Sequence, residues 1–187
     1  MRFDEKTFIL KDGREALLRL PTEADAEALL EYLRITAEET IFMMRYPEEC
    51  EKRYSIEGEK EIISRANASE NELKLLCEVD GEIAGMCNLS FNTYLKKRHI
   101  AKIAIGNVKK YWGLGMGTRM MAELIAMAEA REGVIQLELE FIEGNSRARA
   151  LYEKLGFRVV CVHPNAFILK DGTLLNEYIM AKELKKR

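Results

Sequence analysis

Two groups of residues in the C-terminal half of the chain carry types and spacings that could do chemistry. The first is Gly113-Leu114-Gly115-Met116-Gly117-Thr118, which follows Trp112. Alternate glycines let successive backbone N–H groups converge with no Cβ in the way. A helix starting there adds its unpaired N–H groups and its positive dipole end. Such a turn suits a phosphate ester without help from Lys or Arg. The spacing is G-x-G-x-G rather than the G-x-G-x-x-G of a dinucleotide fingerprint, and no lysine separates Gly117 from Thr118 as a nucleoside-triphosphate loop requires. Read alone, the glycines are either a cradle for a phosphorylated ligand or a tight strand-to-helix turn.

The second group begins one strand later. Asn145 is a natural helix N-cap, and Tyr152 stands seven residues, about two turns, further along the same broad side. By pattern alone Tyr152 fits a core aromatic as well as an acid. Glu140 precedes the asparagine by five residues, and Gln136, Glu138 and Glu140 alternate as the polar face of a half-exposed strand would. His99 is a weaker acid–base candidate, because Arg98 beside it disfavours a second positive charge.

Periodicity supplies the elements that must hold these residues. Thr7 to Leu10 and Glu15 to Leu20 read as extended pieces, and Thr22 with Asp25 reads as a helix start ahead of Ala26, Leu29, Leu30 and Leu33. Met44 to Ser55 reads as flexible and Ile56 to Ala68 as a helix. Leu73 to Val79 and Ile83 to Phe91 form a hairpin across Asp80-Gly81, with His99 to Val108 as a third strand. If that hairpin has a two-residue loop, Cys77 lies opposite Ala84 and Cys87 opposite Lys74. The two thiols then point to opposite sheet faces and no disulfide is expected. A helix follows the glycines, then a strand from Ile135 to Ile142, a helix ending at Gly156, and two last strands, Phe157 to Val162 and Leu174 to Leu184, on either side of Asp171-Gly172. The order is β-α-α-β-β-β-α-β-α-β-β, with a right-handed parallel crossover in the middle and antiparallel pairs on either side.

Trp112 to Thr118, the strand Leu139-Glu140-Phe141 and the series Asn145, Ala148, Leu151, Tyr152, Lys154, Gly156, Phe157 together resemble the GNAT superfamily of N-acetyltransferases. Glu177-Tyr178-Ile179-Met180, with Lys182 and Leu184, resembles that family's last strand. The resemblance implies an α/β fold with a GNAT-like mixed, mostly antiparallel central sheet and helices on both faces, built as one domain over residues 1–187. It implies acetyl-CoA as co-substrate, with no metal, and acetyl transfer to a primary amine by direct attack. The turn amides from Gly113 to Thr118 would hold the CoA pyrophosphate. The strand Ile105, Gly106, Asn107, Val108 would pair with pantetheine and offer one amide to the thioester carbonyl. The family's usual valine there matches Asn107 or Val108. Asn145 would contact the pantetheine arm, Tyr152 would protonate the departing thiolate, and Glu140 matches a general base of ribosomal-protein N-terminal acetyltransferases. Trp112 replaces the family's usual Arg or Gln. A non-catalytic acyl-CoA sensor or interaction module on the same fold is the rival expectation.

The chemistry implied asks for three things: a base for the amine, a fixed donor for the oxyanion, and a proton for the leaving sulfur. The 187 residues carry 29 Lys+Arg against 31 Asp+Glu, a balance that gives no reason to expect nucleic acid or a membrane as partner. The four cysteines have no paired spacing and suit a cytoplasmic, reducing setting. The amine acceptor, small molecule or peptide, stays open, as does a homodimer. Its walls are expected from Thr36 to Ser55 and from His163 to Lys170, where Met43, Met44, Tyr46 and Phe167 would make an adaptable apolar surface.

Overall fold

The computed structural model describes residues 1–184. The strands β1 (Lys6–Ile9) and β2 (Glu15–Arg19) form a hairpin that leads, through one 3-10 turn, into α1 (Ala26–Glu39). That entry is fixed chemically. The Thr22 N–H and hydroxyl both donate to Asp25, and Arg19 grips the same carboxylate at 2.7 Å and 2.8 Å. The Arg19 guanidinium holds Asp25 down at about 2.

The segment expected to be flexible holds a helix, α2 (Pro47–Arg53). Pro47 sits at its first position, and the Tyr46 N–H donates to Glu49 at 2.9 Å, so both signals of a helix start were in the sequence. After α3 (Ile56–Ala68) the chain forms β3 (Glu72–Val79), β4 (Glu82–Phe91) and β5 (Ile100–Asn107), an antiparallel meander. There follow α4 (Met116–Ala130), β6 (Gln136–Ile142), α5 (Ser146–Lys154), β7 (Arg158–Ile168) and β8 (Leu174–Glu183). The sheet runs β1-β2-β3-β4-β5-β6-β8-β7, and among these pairs only β5 with β6 is parallel. The strand expected to end at Val162 instead continues as β7 to Ile168, through most of the stretch expected to wall the acceptor.

Helices cover both faces of this mixed sheet. Tyr32 of α1 comes to Gly106, while Gly117 of α4 comes to Ile105 and Asn107. Neighbouring residues of a strand point to opposite sides, so the two helices must lie on opposite faces. The three consecutive residues Leu75, Leu76 and Cys77, none of them exposed, show the same double covering in β3.

One register differs from expectation. The β3–β4 hairpin pairs Val79 with Glu82 and Glu78 with Ile83, but then Cys77 with Gly85, leaving Ala84 as a bulge. Directly opposed residues share a face, and so do Gly85 and Cys87 two positions apart. Cys77 and Cys87 therefore point to the same face, not to opposite ones. Both thiols are free and buried, and burial pushes Cys77 up to about 12 and raises Cys87 as well.

Past the bulge, Gly85 lies against Asn107 at the end of β5. A Cβ there would stand 2.1 Å from Asn107 Oδ1 and 3.1 Å from the Gly106 carbonyl. Gly85→Ala should lower unfolding stability by about 1–3 kcal/mol in urea denaturation, since the Asn107 amide is packed against Gly117 and has little room to retreat. An unchanged midpoint would show that Asn107 swings aside freely.

Candidate functional site

The parallel pairing of β5 and β6 lasts for three residue pairs, ending at Lys102 with Glu138. Beyond that point β5 keeps its pairing to β4, and β6 keeps its pairing to β8. The sheet is split along this line. From Ile103 to Asn107 the β5 edge has no strand beside it on the β6 side among the described residues, so its outward backbone groups, apart from the Asn107 carbonyl that Trp112 occupies, can pair with another extended chain. A cleft of about 590 Å³ fills the gap. Its walls are Ile103 to Asn107 on one side and Leu139 to Ile142 on the other, with α5 and the loop after α1 closing the ends.

The expected site residues fall around this cleft in a definite pattern. Ile105, Gly106, Asn107, Trp112, Glu140, Asn145 and Tyr152 all line it. Val108 does not; it is buried and its N–H donates to the Ala84 carbonyl at 2.9 Å. The turn from Gly113 to Thr118 lies just outside, joined to the cleft through Trp112 and Arg147. Gly113 and Gly115 have φ of +80° and +90°, the left-handed region that disfavours any side chain. Their geometry therefore answers to the backbone. Met116 is buried as the first residue of α4, and the Leu114 carbonyl accepts from Lys11 N–H at 3.1 Å, which ties the β1–β2 hairpin to the turn. Trp112 turns its indole N–H inward to the Asn107 carbonyl at 2.9 Å.

Asn145 caps α5, its Oδ1 accepting from the Ala148 N–H at 3.1 Å, and the cap leaves its Nδ2 for the cleft. Tyr152 is 5% exposed and sits between Phe141 and Phe157, with ring centroids 6.1 Å and 6.3 Å away. Burial alone pushes its hydroxyl up to about 12. Glu140 stands differently. It is exposed on the rim, and Lys102 of β5 donates to its Oε1 at 2.7 Å. The same contact raises the Lys102 pKa.

Sequence reasoning missed several residues of the cleft. Lys102 was one, and Glu177 of β8 another; the latter is half-buried, pairs beside Ile142 and lines the same space. The sequence marks Glu177 only as part of a closing strand, because nothing in it says that β8 inserts next to β6. Arg147, Asn88, Ser90, Arg45 and Tyr54 also contribute. A second cavity, of about 260 Å³, adjoins the first through Met43, Met44 and Ile142. Met43, Met44, Tyr46 and Phe167 line it, as the apolar wall expected from the sequence does. Among the described residues no cluster of His, Cys, Asp or Glu could hold a metal ion, and no helix is long and apolar enough to cross a membrane.

The cleft suits a long, thin ligand ending in a reactive group near Tyr152, with anionic groups at the glycine end. Asn107 Oδ1 is buried without a hydrogen-bond partner among the described residues, so one polar atom in that wall is unspent. A family model described as "Acetyltransferase (GNAT) family" matches residues 32–157. The chain is 31% identical over 137 residues to a [ribosomal protein bS18]-alanine N-acetyltransferase of Haemophilus influenzae, covering 70% of this chain and 90% of that one. It is 35% identical over 120 residues to an N-alpha-acetyltransferase of Sulfurisphaera tokodaii, covering 58% of this chain and 68% of the other. Among solved structures, an acetyltransferase of the GNAT family from Streptococcus pneumoniae superposes with a TM-score of 0.82 at 26% identity, over 90% of this chain and 99% of that one.

The phenol of Tyr152 gives a direct check of its environment. Desolvation penalises the phenolate, so the group must stay protonated through neutral and moderately alkaline pH and ionise only towards about 12. A tyrosinate absorbance titration of the wild type minus Tyr152→Phe should show no transition below about pH 11. A difference midpoint near the ordinary value of about 10 would mean that the hydroxyl is hydrated.

Proposed function

The chain belongs to the GNAT acetyltransferase family and is an acetyl-CoA-dependent N-acetyltransferase, and from that premise we propose that its acceptor is the α-amine at the N-terminus of a polypeptide. The observation that carries this reading is the Lys102–Glu140 pair. The Lys102 ammonium occupies one oxygen of Glu140 at 2.7 Å, which leaves a single carboxylate oxygen for an incoming amine. An acceptor that needs little help suits it best. An α-amine, with a pKa near 8, is neutral in roughly a tenth of molecules at pH 7; a lysine side chain near 10.4 is neutral in only a few per ten thousand, as an order of magnitude. The two curated relatives are named for acetylating a protein alanine and an N-alpha position, which points the same way.

In this reading the chain divides the work between the two sides of the split. The free edge of β5 binds the pantetheine arm, and Asn145 steadies it through Nδ2. Backbone N–H groups of Gly113 to Thr118 take the diphosphate. The amine nitrogen attacks the thioester carbon, and a backbone N–H of the Ile105 to Asn107 stretch stabilises the oxygen as it becomes anionic. Glu140 accepts the amine proton at its free oxygen, directly or through one water. Tyr152 donates its hydroxyl proton to sulfur as the C–S bond breaks. Its raised pKa makes it a weaker acid, but it also guarantees that a proton is present to give. The apolar wall of Met43, Met44 and Phe167 lies where the first side chains of a peptide would rest.

Tyr152→Phe should reduce kcat by roughly 100-fold or more while CoA affinity stays within about threefold, because only the transferable proton is removed. A thiol-release assay with unchanged kcat would take Tyr152 out of the acid role. The acceptor reading is tested with paired peptides, one with a free N-terminus and no lysine, the other Nα-blocked with one lysine. The free α-amine should react at least tenfold faster at pH 7. Equal rates, or a faster lysine peptide, would overturn the choice of acceptor without touching the family.

A further inference from the structure

Trp112 stands at the entrance to the glycine turn with no charge to offer, and its one donor is already used on the Asn107 carbonyl. The turn nevertheless has a cation beside it. The Arg147 guanidinium carbon lies 4.9 Å from the centroid of the Trp112 ring, and Nη1 is 3.9 Å from where a Cβ on Gly113 would be. Arg147 also lines the cleft. We infer that Arg147 is a phosphate-binding residue for the CoA co-substrate, mounted on the indole of Trp112 and supplied from α5 instead of from the turn itself.

Several observations favour this over an ordinary solvated arginine. Among the described residues Arg147 has no carboxylate within ion-pair distance, whereas Arg149, two residues on, holds Glu153 at 2.8 Å. Arg147 also sits in the first turn of α5, where the positive end of the helix dipole opposes a cation. A bound anion would remove that conflict. The cation–π contact with the indole holds the guanidinium beside the turn, and its forked donors match phosphate oxygens. Trp112 is fixed in turn by its bond to β5. The pair thus joins the open edge that would receive pantetheine to the turn that would receive the diphosphate. Across the turn, the aliphatic stem of Lys11 packs against Gly115, its Cγ and Cε each 3.9 Å from where a Cβ there would be.

The inference rests on the glycine turn being the phosphate site, and the test separates the two. Purified full-length wild type, Arg147→Ala and Arg147→Lys are titrated calorimetrically with CoA, 3′-dephospho-CoA and pantetheine, and Trp112, the chain's single tryptophan, gives an independent fluorescence readout. For the wild type, CoA should bind far more tightly than pantetheine; equal affinities would overturn the phosphate reading of the turn and Arg147 with it. Arg147→Ala should weaken CoA by roughly tenfold or more, leave pantetheine unchanged, and raise the KM for acetyl-CoA with kcat nearly kept. A loss shared with 3′-dephospho-CoA assigns the contact to the diphosphate, and a loss confined to CoA assigns it to the 3′-phosphate. Arg147→Lys should recover part of the affinity, having charge but no fork. Native CoA affinity in Arg147→Ala, alongside a strong wild-type preference for CoA over pantetheine, would overturn the role of Arg147 alone.

Discussion

Two parallel strands that part company after three residue pairs are the constraint on which the rest of this molecule depends. A continuous sheet has no internal edge to offer. Here β5 and β6 are each held firmly on their outer sides, by β4 and β8, and released from each other on the inner side. The released backbone cannot be left buried and unpaired, so the gap must stay open to solvent or to a ligand with a chain of its own polar groups. The cleft is thus a consequence of pairing, and the residues around it are there because the two half-sheets diverge.

What keeps the halves apart is packing at the far end of β5. Tyr32, reaching from α1, donates to the Gly106 carbonyl at 2.8 Å, and Trp112 donates to the Asn107 carbonyl at 2.9 Å. On the other face, Gly117 lets α4 come down on Ile105 and Asn107 while Leu151 of α5 closes over it. The Ala84 bulge bends β4 to follow, and its carbonyl takes up the Val108 N–H. These contacts come from separate helices and loops, yet they converge on the four consecutive residues from Ile105 to Val108. That convergence leaves room only for a glycine where Tyr32 approaches, at Gly106 between Ile105 and Asn107.

The two carboxylate and phenol groups of the cleft illustrate opposite uses of burial. Tyr152 is enclosed by aromatic rings, so its neutral form is favoured and its proton is kept. Glu140 is on the exposed rim and paired with Lys102. One group is enclosed by rings and the other stands exposed beside an ammonium. Their spacing of twelve residues in sequence says nothing of this difference. It arises because Tyr152 faces inward from a helix while Glu140 faces outward from a strand.

Much of the architecture was legible in the sequence, because it depends on local rules. Glycine spacing, the Asn145 cap, the helical recurrence of Leu151 and Tyr152 and the strand alternation each act over a few residues, and each reappears in place. The helix at Pro47 was passed over although its proline and Glu49 announce it, since a short polar helix lacks the apolar period. Where the sequence fell short, the cause was register or long-range contact. A single bulged residue moved Cys77 to the face of Cys87, which no count along the chain could foresee. Lys102 met Glu140, and Arg147 met Trp112, across gaps of 38 and 35 positions, because the sheet and α5 brought them together. Backbone conformation follows from neighbours in the chain. Which charges face one another is decided only when separate elements pack.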